Sequence, residues 1–424
     1  MKEIIAMLRA NPQVSDYKIQ LTKKESYESF FVKGKLETVR CTDTCDKVVT
    51  VYVDHDGYKG DSQFFVYPST TSVELKELIE KAVQKAALLN NKMYELPADE
   101  TGEYEVESNF SAYTLPDLSK AIADAVFAAN KIENADLNSV EIFVNRLTGT
   151  VCNSRGIHKT QVRYNAMVET IPTYNAETES VELYQQYNFS AFDAETVTAE
   201  IAAKLREVKS RAAAIKPDFA MDCKVVLNKQ ELEELFGTIS HELNYSTVYA
   251  RAGVFHKGDA IQEAPTGDPI TITMAGSVPG NVRSACFDSD GMALKDMTIV
   301  EAGTAVAYYG DNRFGQYLEE VPTGNLRCLC VAPGSVAPEC FAAEPYLEVL
   351  SMSGLQVDTF TDYIGGEIRL ANYYNGEKVI PVTGISITGS LKQVLSSIRL
   401  SCETAVHDGY SGPAKAILQN VAIF

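Results

Sequence analysis

The 424-residue sequence has no basic block and no apolar run long enough for a signal core or a membrane span. Its formal net charge is −19, from 38 Lys and Arg against 57 Asp and Glu spread along the chain. It therefore lacks the cationic face that displaces counterions from phosphates, and direct nucleic-acid binding is disfavoured. There is no Gly-x-Ser-x-Gly elbow, no Gly-x-x-x-x-Gly-Lys phosphate loop and no dinucleotide fingerprint, so those reaction classes gain no support. The nine cysteines are odd in number and form no repeated framework, which fits a reduced cytoplasm better than a secreted scaffold. Cys41 and Cys45 lack a second pair at zinc-finger spacing. Cys328-x-Cys330 places both thiols on one face of a strand, so buried structural cysteines are expected.

What is present is a globular composition, with 45% apolar and 22% charged residues and a length that suggests two or three domains. The patterning divides the chain at about residues 95 and 216. In 1–95, Tyr17–Leu21 and Lys47–Val53 read as strands, and 54–60 reads as a loop with two glycines. Thr71 with Glu74 forms a capping box that opens a helix, whose apolar stripe runs through Val73, Leu75, Leu78, Ile79, Ala82, Val83 and Ala86. In 96–216, an acidic, polar stretch over 96–109 reads as a linker or surface crossing. A helix begins after Pro116, carrying Ile122, Val126 and Ala129 on one side. A meander then runs over 140–144, 148–153, 160–169 and 181–189, with turns at 147–149 and 154–156. A helix over 195–214 closes this region. The segment 217–424 opens with a strand at 223–227 and a helix capped by Asn228 with Glu231. Leu232, Leu235, Phe236, Ile239 and Leu243 form its buried face. The expected fold class is α+β: a small N-terminal sheet with a helix, a β-meander middle region, and a large antiparallel C-terminal domain with inserted helices.

Four signatures punctuate the C-terminal region in order. They are Phe287-Asp288-Ser289-Asp290-Gly291, Gly310-Asp311-Asn312-Arg313, Pro322-Thr323-Gly324-Asn325, and a run from Gly365-Gly366-Glu367-Ile368 through Asn375-Gly376-Glu377 to Pro381-Val382-Thr383-Gly384 and Gly389. Gly, Asn and Asp supply the positive φ angles of tight turns, and Asn375-Gly376 predicts a type I′ hairpin. Asp288-Ser289-Asp290-Gly291 reads as an Asx-type turn rather than a catalytic carboxylate pair. Glu301, Asp311, Glu319 and Glu320 need only solvation. The ordered set resembles the TldD/PmbA family, described provisionally as modulators of DNA gyrase, most closely after residue 216.

Catalytic members of that family carry His-Glu-x-x-x-His on the helix after 228, two imidazoles for a metal and a carboxylate to activate water. Aligned on the residues downstream of the motif, this chain reads Phe236-Gly237-Thr238-Ile239-Ser240-His241, which keeps only the second histidine and has no base at Gly237. The family's third ligand, a cysteine, is missing from Ala405–Pro413, and Cys402 lies upstream of that position. His241-Glu242 is not a zincin motif either, because position 245 is Tyr.

The resemblance therefore implies a PmbA/TldE-like subunit with no metal, no cofactor and no catalytic residue of its own. It would pair in the cytoplasm with a TldD-like metallopeptidase and complete a groove for extended or unfolded peptides, as in peptide maturation and proteolysis. His241, Glu242, Asn325 and Arg327 are the groove or partner-contact candidates, the last two from the family's Thr-Gly-Asn-x-Arg stretch. Two alternatives remain: a self-sufficient metallopeptidase with a displaced site at His241, Glu242 and His256 or Cys402, and a homodimeric peptide-binding module. Neither nucleic acid nor membrane is an expected partner.

Overall fold

The computed structural model describes residues 1–129, 131–176, 180–342 and 344–424. It is an α+β protein built on three sheets. The first sheet contains β1 (Asp16–Val32), β2 (Lys35–His55), β3 (Tyr58–Phe65), β4 (Asn91–Lys92), β5 (Thr101–Glu105), β6 (Ala135–Asn153), β7 (His158–Asn175), β8 (Ser180–Glu182) and β9 (Gln185–Phe189). Its order is β4-β3-β2-β1-β6-β7-β5, with β8 and β9 also on β7, so it takes strands from both sides of residue 95.

Two tight turns shape its long ribbons. Lys33-Gly34 joins β1 to β2 and Asp56-Gly57 joins β2 to β3, and all four residues have positive φ, as a type I′ turn requires. The expected turn at 147–149 does not form. Those residues lie inside the continuous strand β6, because pairing with β1 on one side and β7 on the other satisfies the backbone and overrides the local glycine signal. The 96–109 stretch is also more ordered than a linker, since β5 adds parallel to β7 at the sheet edge.

Four helices cover one face of this sheet. The helices α1 (Lys2–Ala10) and α2 (Ser72–Ala86) pack on Tyr17, Ile19, Val49 and Val51. The capping box at the start of α2 is present in both directions. Its stripe is buried except at Leu78, which is half-buried, and at Val73, which is 70% exposed in the first turn. The helices α3 (Leu115–Ala128) and α4 (Ala194–Ala213) pack on Val140, Ile142, Val144 and Val168 at the other end of the strands. Register puts Lys18, Gln20 and Thr22 on the opposite face, toward the C-terminal half.

The C-terminal half holds the other two sheets. One runs Arg399–Leu400, Lys415–Leu418, Lys224–Asn228, Tyr346–Met352, Tyr363–Tyr374, Ile385–Ser390 and Val421–Ile423. The other runs Thr304–Ala305, Met297–Glu301, Ile272–Ala275, Cys328–Val331, Tyr410–Pro413 and Thr404–His407. The helix α5 (Lys229–Glu242) lies between them, with Leu232, Leu235, Phe236, Ile239 and Leu243 in one core with residues of both sheets. Asn228 precedes α5 but does not cap it with its side chain, because its amide donates to the Val349 carbonyl instead.

The glycine signatures take different roles. Gly365 and Gly366 lie inside Tyr363–Tyr374, where a Cβ on Gly365 would come within 2.4 Å of the Ile387 carbonyl. At 375–378 a hairpin does form, but only Gly376 has positive φ. The four-residue connection is held by Asn375 Oδ1, which accepts from Glu377 N and Lys378 N, so it is an Asx-type loop rather than type I′. Among the described residues, no helix is long and apolar enough to cross a membrane.

Candidate functional site

The first three C-terminal signatures converge into one clasp. Asp288 Oδ1 accepts from Asp290 N and Met292 N at 2.9 and 3.0 Å, and Asp288 Oδ2 accepts from Asn325 N at 3.0 Å. Thr323 Oγ1 accepts from Gly310 N at 3.0 Å, which ties in the second signature. Burial and the neighbouring Asp290 raise the Asp288 carboxyl above its ordinary range. Asp290 pairs with Lys18 at 2.5 Å and so pins the clasp to β1. Asp311 is more than solvated: it caps a short helix, Asn312–Leu318, by accepting from Phe314 N.

Next to the clasp, a cavity of about 540 Å³ runs along the outer face of α5. Met274 and Leu329 of the third sheet line it, with Glu233, Glu234, Gly237 and His241 along the helix and Gly409 at one end. The helix presents this face because its core stripe leaves the 233–237–241 row, spaced by four, on the other side. Phe236 is fully buried, so a side chain there cannot reach the groove. Read from the groove-facing Glu233, the spacing His-Glu-x-x-x-His falls on Glu233-Glu234-Leu235-Phe236-Gly237-Thr238. In that register Glu234 would be the carboxylate, with Glu233 and Thr238 at the imidazole positions. Thr238 does not line the groove, whereas Gly237 and His241 do.

Glu233 is also where the nearest metal-type donors meet. Among the described residues, Glu233, His407 and Asp408 form the one group of three whose ligand atoms lie within 4.8 Å of each other. The hairpin of Thr404–His407 and Tyr410–Pro413 delivers His407 and Asp408 at its tip. Burial pushes the Glu233 carboxyl up to about 7, against the opposing effect of Arg283. Burial likewise lowers the His407 imidazole pKa, favouring its neutral form.

This donor set, two carboxylates and one imidazole, is not the two imidazoles and a cysteine expected of the family's catalytic members. Arg283 Nη2 stands 3.5 Å from Glu233 Oε1, the same oxygen that accepts from Gly409 N at 3.2 Å. Asp408 Oδ1 accepts from Asn188 Nδ2 at 3.0 Å, and the Thr238 hydroxyl donates to the Glu234 carbonyl. A guanidinium already compensates the carboxylate.

The candidate residues of the sequence are dispersed. His241 is exposed at the groove and lies 3.3 Å from Thr247 Oγ1. Glu242 points the other way: it is buried, accepts from Val254 N and Phe255 N, and takes the Thr359 hydroxyl at 2.6 Å. His256 is exposed and sits 3.5 Å from Asp259, and Cys402 is exposed. Neither joins a metal-type group with His241 or Glu242 among the described residues. Arg327 lines the groove, and both Asn325 and Arg327 line a second cavity next to it. All nine cysteines are free, with Cys328 buried but Cys41 and Cys45 exposed on β2, outside any core. Glu233 and Arg283 are not evident from the sequence motifs. The helical row 233–237–241 is the signal for the first, and nothing local marks the second.

Three sheets with a helix laid along a polar groove define the chain as an α+β protein. Residues 220–423 match the PmbA/TldA metallopeptidase C-terminal domain, which places the C-terminal part of the chain in the PmbA/TldD family. No curated protein matches the sequence. Over its whole length the chain has the fold of TldE from Thermococcus kodakarensis, with a TM-score of 0.81, 14% identity and 99% of that chain covered. A protein of Thermotoga maritima, described provisionally as a modulator of a DNA gyrase, aligns with a TM-score of 0.78, 13% identity and coverage of 100% of this chain and 99% of that one. A Bacteroides thetaiotaomicron protein described in the same terms gives 0.78 and 14%, with 100% and 97% covered.

Proposed function

We propose that this chain is the non-metal-binding, TldE-like subunit of a cytoplasmic two-subunit peptidase. It completes a groove for extended peptides, and a TldD-like partner supplies the metal. One observation carries this reading: the α5 groove, about 540 Å³, is walled by a helix and by strand residues, yet the Arg283 guanidinium stands beside Glu233. An extended peptide lies well against strands because backbone hydrogen bonds give affinity that is independent of sequence. The fold shared with a protein named TldE supports the assignment of subunit type.

Two outcomes test it. The purified chain, dialysed against buffer, should hold far less than one zinc or iron per chain by elemental analysis. A stoichiometric metal lost in Glu233→Ala would instead favour a self-sufficient enzyme. Alone, the chain should leave a casein-type unfolded protein intact. Mixed with a TldD-type partner, it should form a complex on a sizing column and give cleavage that a chelator abolishes. Chelator-sensitive cleavage by the chain alone would refute the subunit reading.

A further inference from the structure

A cavity of about 180 Å³ lies between the uncovered face of the first sheet and the clasp, next to the α5 groove. Three arginines line it, although acids outnumber bases by 57 to 38 in this chain. Arg283 faces Glu233. The side chains of Arg163 and Arg327 have no hydrogen bond or ion pair among the described residues. Arg163 is half-buried on β7, and burial together with the charge of Arg327 lowers its pKa. Two neighbouring cations without a counter-ion are costly in a partly desolvated site, and surface solvation does not account for Arg163. The carboxylate lining the cavity, Asp288, has its oxygens committed to three backbone N–H groups.

The walls are fixed and the floor is open. Gln161, two residues before Arg163 and on the same face of β7, donates to the Phe287 carbonyl and accepts from Cys286 N. Gly149 stands in register between Thr22 and Gln161, in the middle of a strand where glycine is otherwise unfavourable. The nearest side-chain atom to a Cβ built there is 4.0 Å away, so any side chain at 149 would project into free space. A strand glycine of this kind marks a place where something approaches the backbone closely.

We infer that this cavity binds a carboxylate, presented by the C-terminus of an extended peptide in the α5 groove or by an acidic side chain near it. Arg283 and Arg327 line both cavities, so the groove adjoins the cavity that Arg163 lines. Guanidinium groups hold carboxylates through paired N–H donors, and the planar fork suits that ion. The peptide part of the inference rests on the proposed groove function, while the carboxylate pocket stands on its own residues.

Calorimetry on the full chain tests it with N-acetyl-tetraalanine as the free acid and as the C-terminal amide. The free acid should bind at least about tenfold more tightly, and Arg163→Gln or Gly149→Leu should erase the difference. A third peptide, amidated but ending in Glu, distinguishes the sources. Binding like the free acid means that any carboxylate is read, and binding like the amide means that only the terminus is. Equal affinity for acid and amide, or discrimination that survives Arg163→Gln, overturns the pocket while leaving peptide binding intact. If none of the peptides binds, thermal melts in N-acetyl-alanine decide. Stabilisation of the parent but not of Arg163→Gln upholds the pocket and puts the failure on the peptide reading, and no stabilisation overturns the pocket. Arg163→Gln removes an unpaired charge, so its ligand-free melting temperature should not fall below that of the parent.

Discussion

Phe236→His combined with Gly237→Glu, which writes His-Glu-Thr-Ile-Ser-His into α5, should melt well below the parent and gain no zinc-dependent stability. Phe236 is fully buried among the residues that join the second and third sheets. Losing that ring costs about 3–5 kcal/mol at the Phe→Ala limit, and an imidazole placed there adds a polar group without a partner. Gly237 is different, because nothing lies within 4 Å of a Cβ built on it. Gly237→Ala alone should therefore raise stability by about 0.5–1 kcal/mol through helix propensity. The pair is destabilising on balance. By contrast, Glu233→His with Thr238→His changes positions outside the core and should keep a melting temperature close to that of the parent. Thermal melts of both double variants, with and without zinc, make the comparison. A large zinc-dependent rise for the Phe236 pair would mean that its imidazole reaches the groove, and the Glu233 register would be wrong.

The α5 core stripe is legible from helical periodicity, and the Thr71–Glu74 box is a local signature; both depend only on neighbouring residues. Motif register is another matter. Aligning a degenerate six-residue pattern by its downstream residues puts the first ligand position at Phe236, and that ring is fully buried, away from the groove that Glu233 lines. Burial of the stripe on one side already implies that Phe236 is not a groove residue. Gly149 and Arg163 carry the opposite lesson. A Leu-Thr-Gly triplet looks like a turn until both neighbouring strands are present to pair it. An arginine without a partner is visible only after the chain has brought everything else near it. Asp288, a turn residue by its sequence, does form that turn, but its second oxygen also fastens a loop from a distant part of the chain.

The pH dependence of stability should carry the mark of a neighbouring residue, Glu231. It lies in the first turn of α5 and is only 6% exposed. It faces a large polar cavity between α4 and the second sheet, whose lining holds three ion pairs. Lys204 pairs with Glu207 at 2.7 Å, Lys415 with Glu348 at 2.5 Å, and Lys229 with Glu200. Burial raises the Glu231 carboxyl to about 7, although backbone N–H groups of its own residue and Asn228 favour the charged form. The sign comes from linkage. Between the unfolded value of 4.5 and the folded value of about 7, the folded state holds a proton that the unfolded state has lost, so stability falls as pH rises through that window. Across the whole window the loss attributable to this group is about 3 kcal/mol. Glu207 and Glu233 are raised as well and act in the same direction, while Glu25 is lowered and acts oppositely. The difference between two proteins therefore isolates Glu231 better than the slope of one. Glu231→Gln keeps an oxygen to accept the backbone N–H groups but has no charge to desolvate. Denaturant titrations should find the variant more stable than the parent at pH 8 and the two converging near pH 4.5. Parallel curves across that range would mean that Glu231 is ionised and solvated in the folded protein, and that the α4 cavity is open to water at α5.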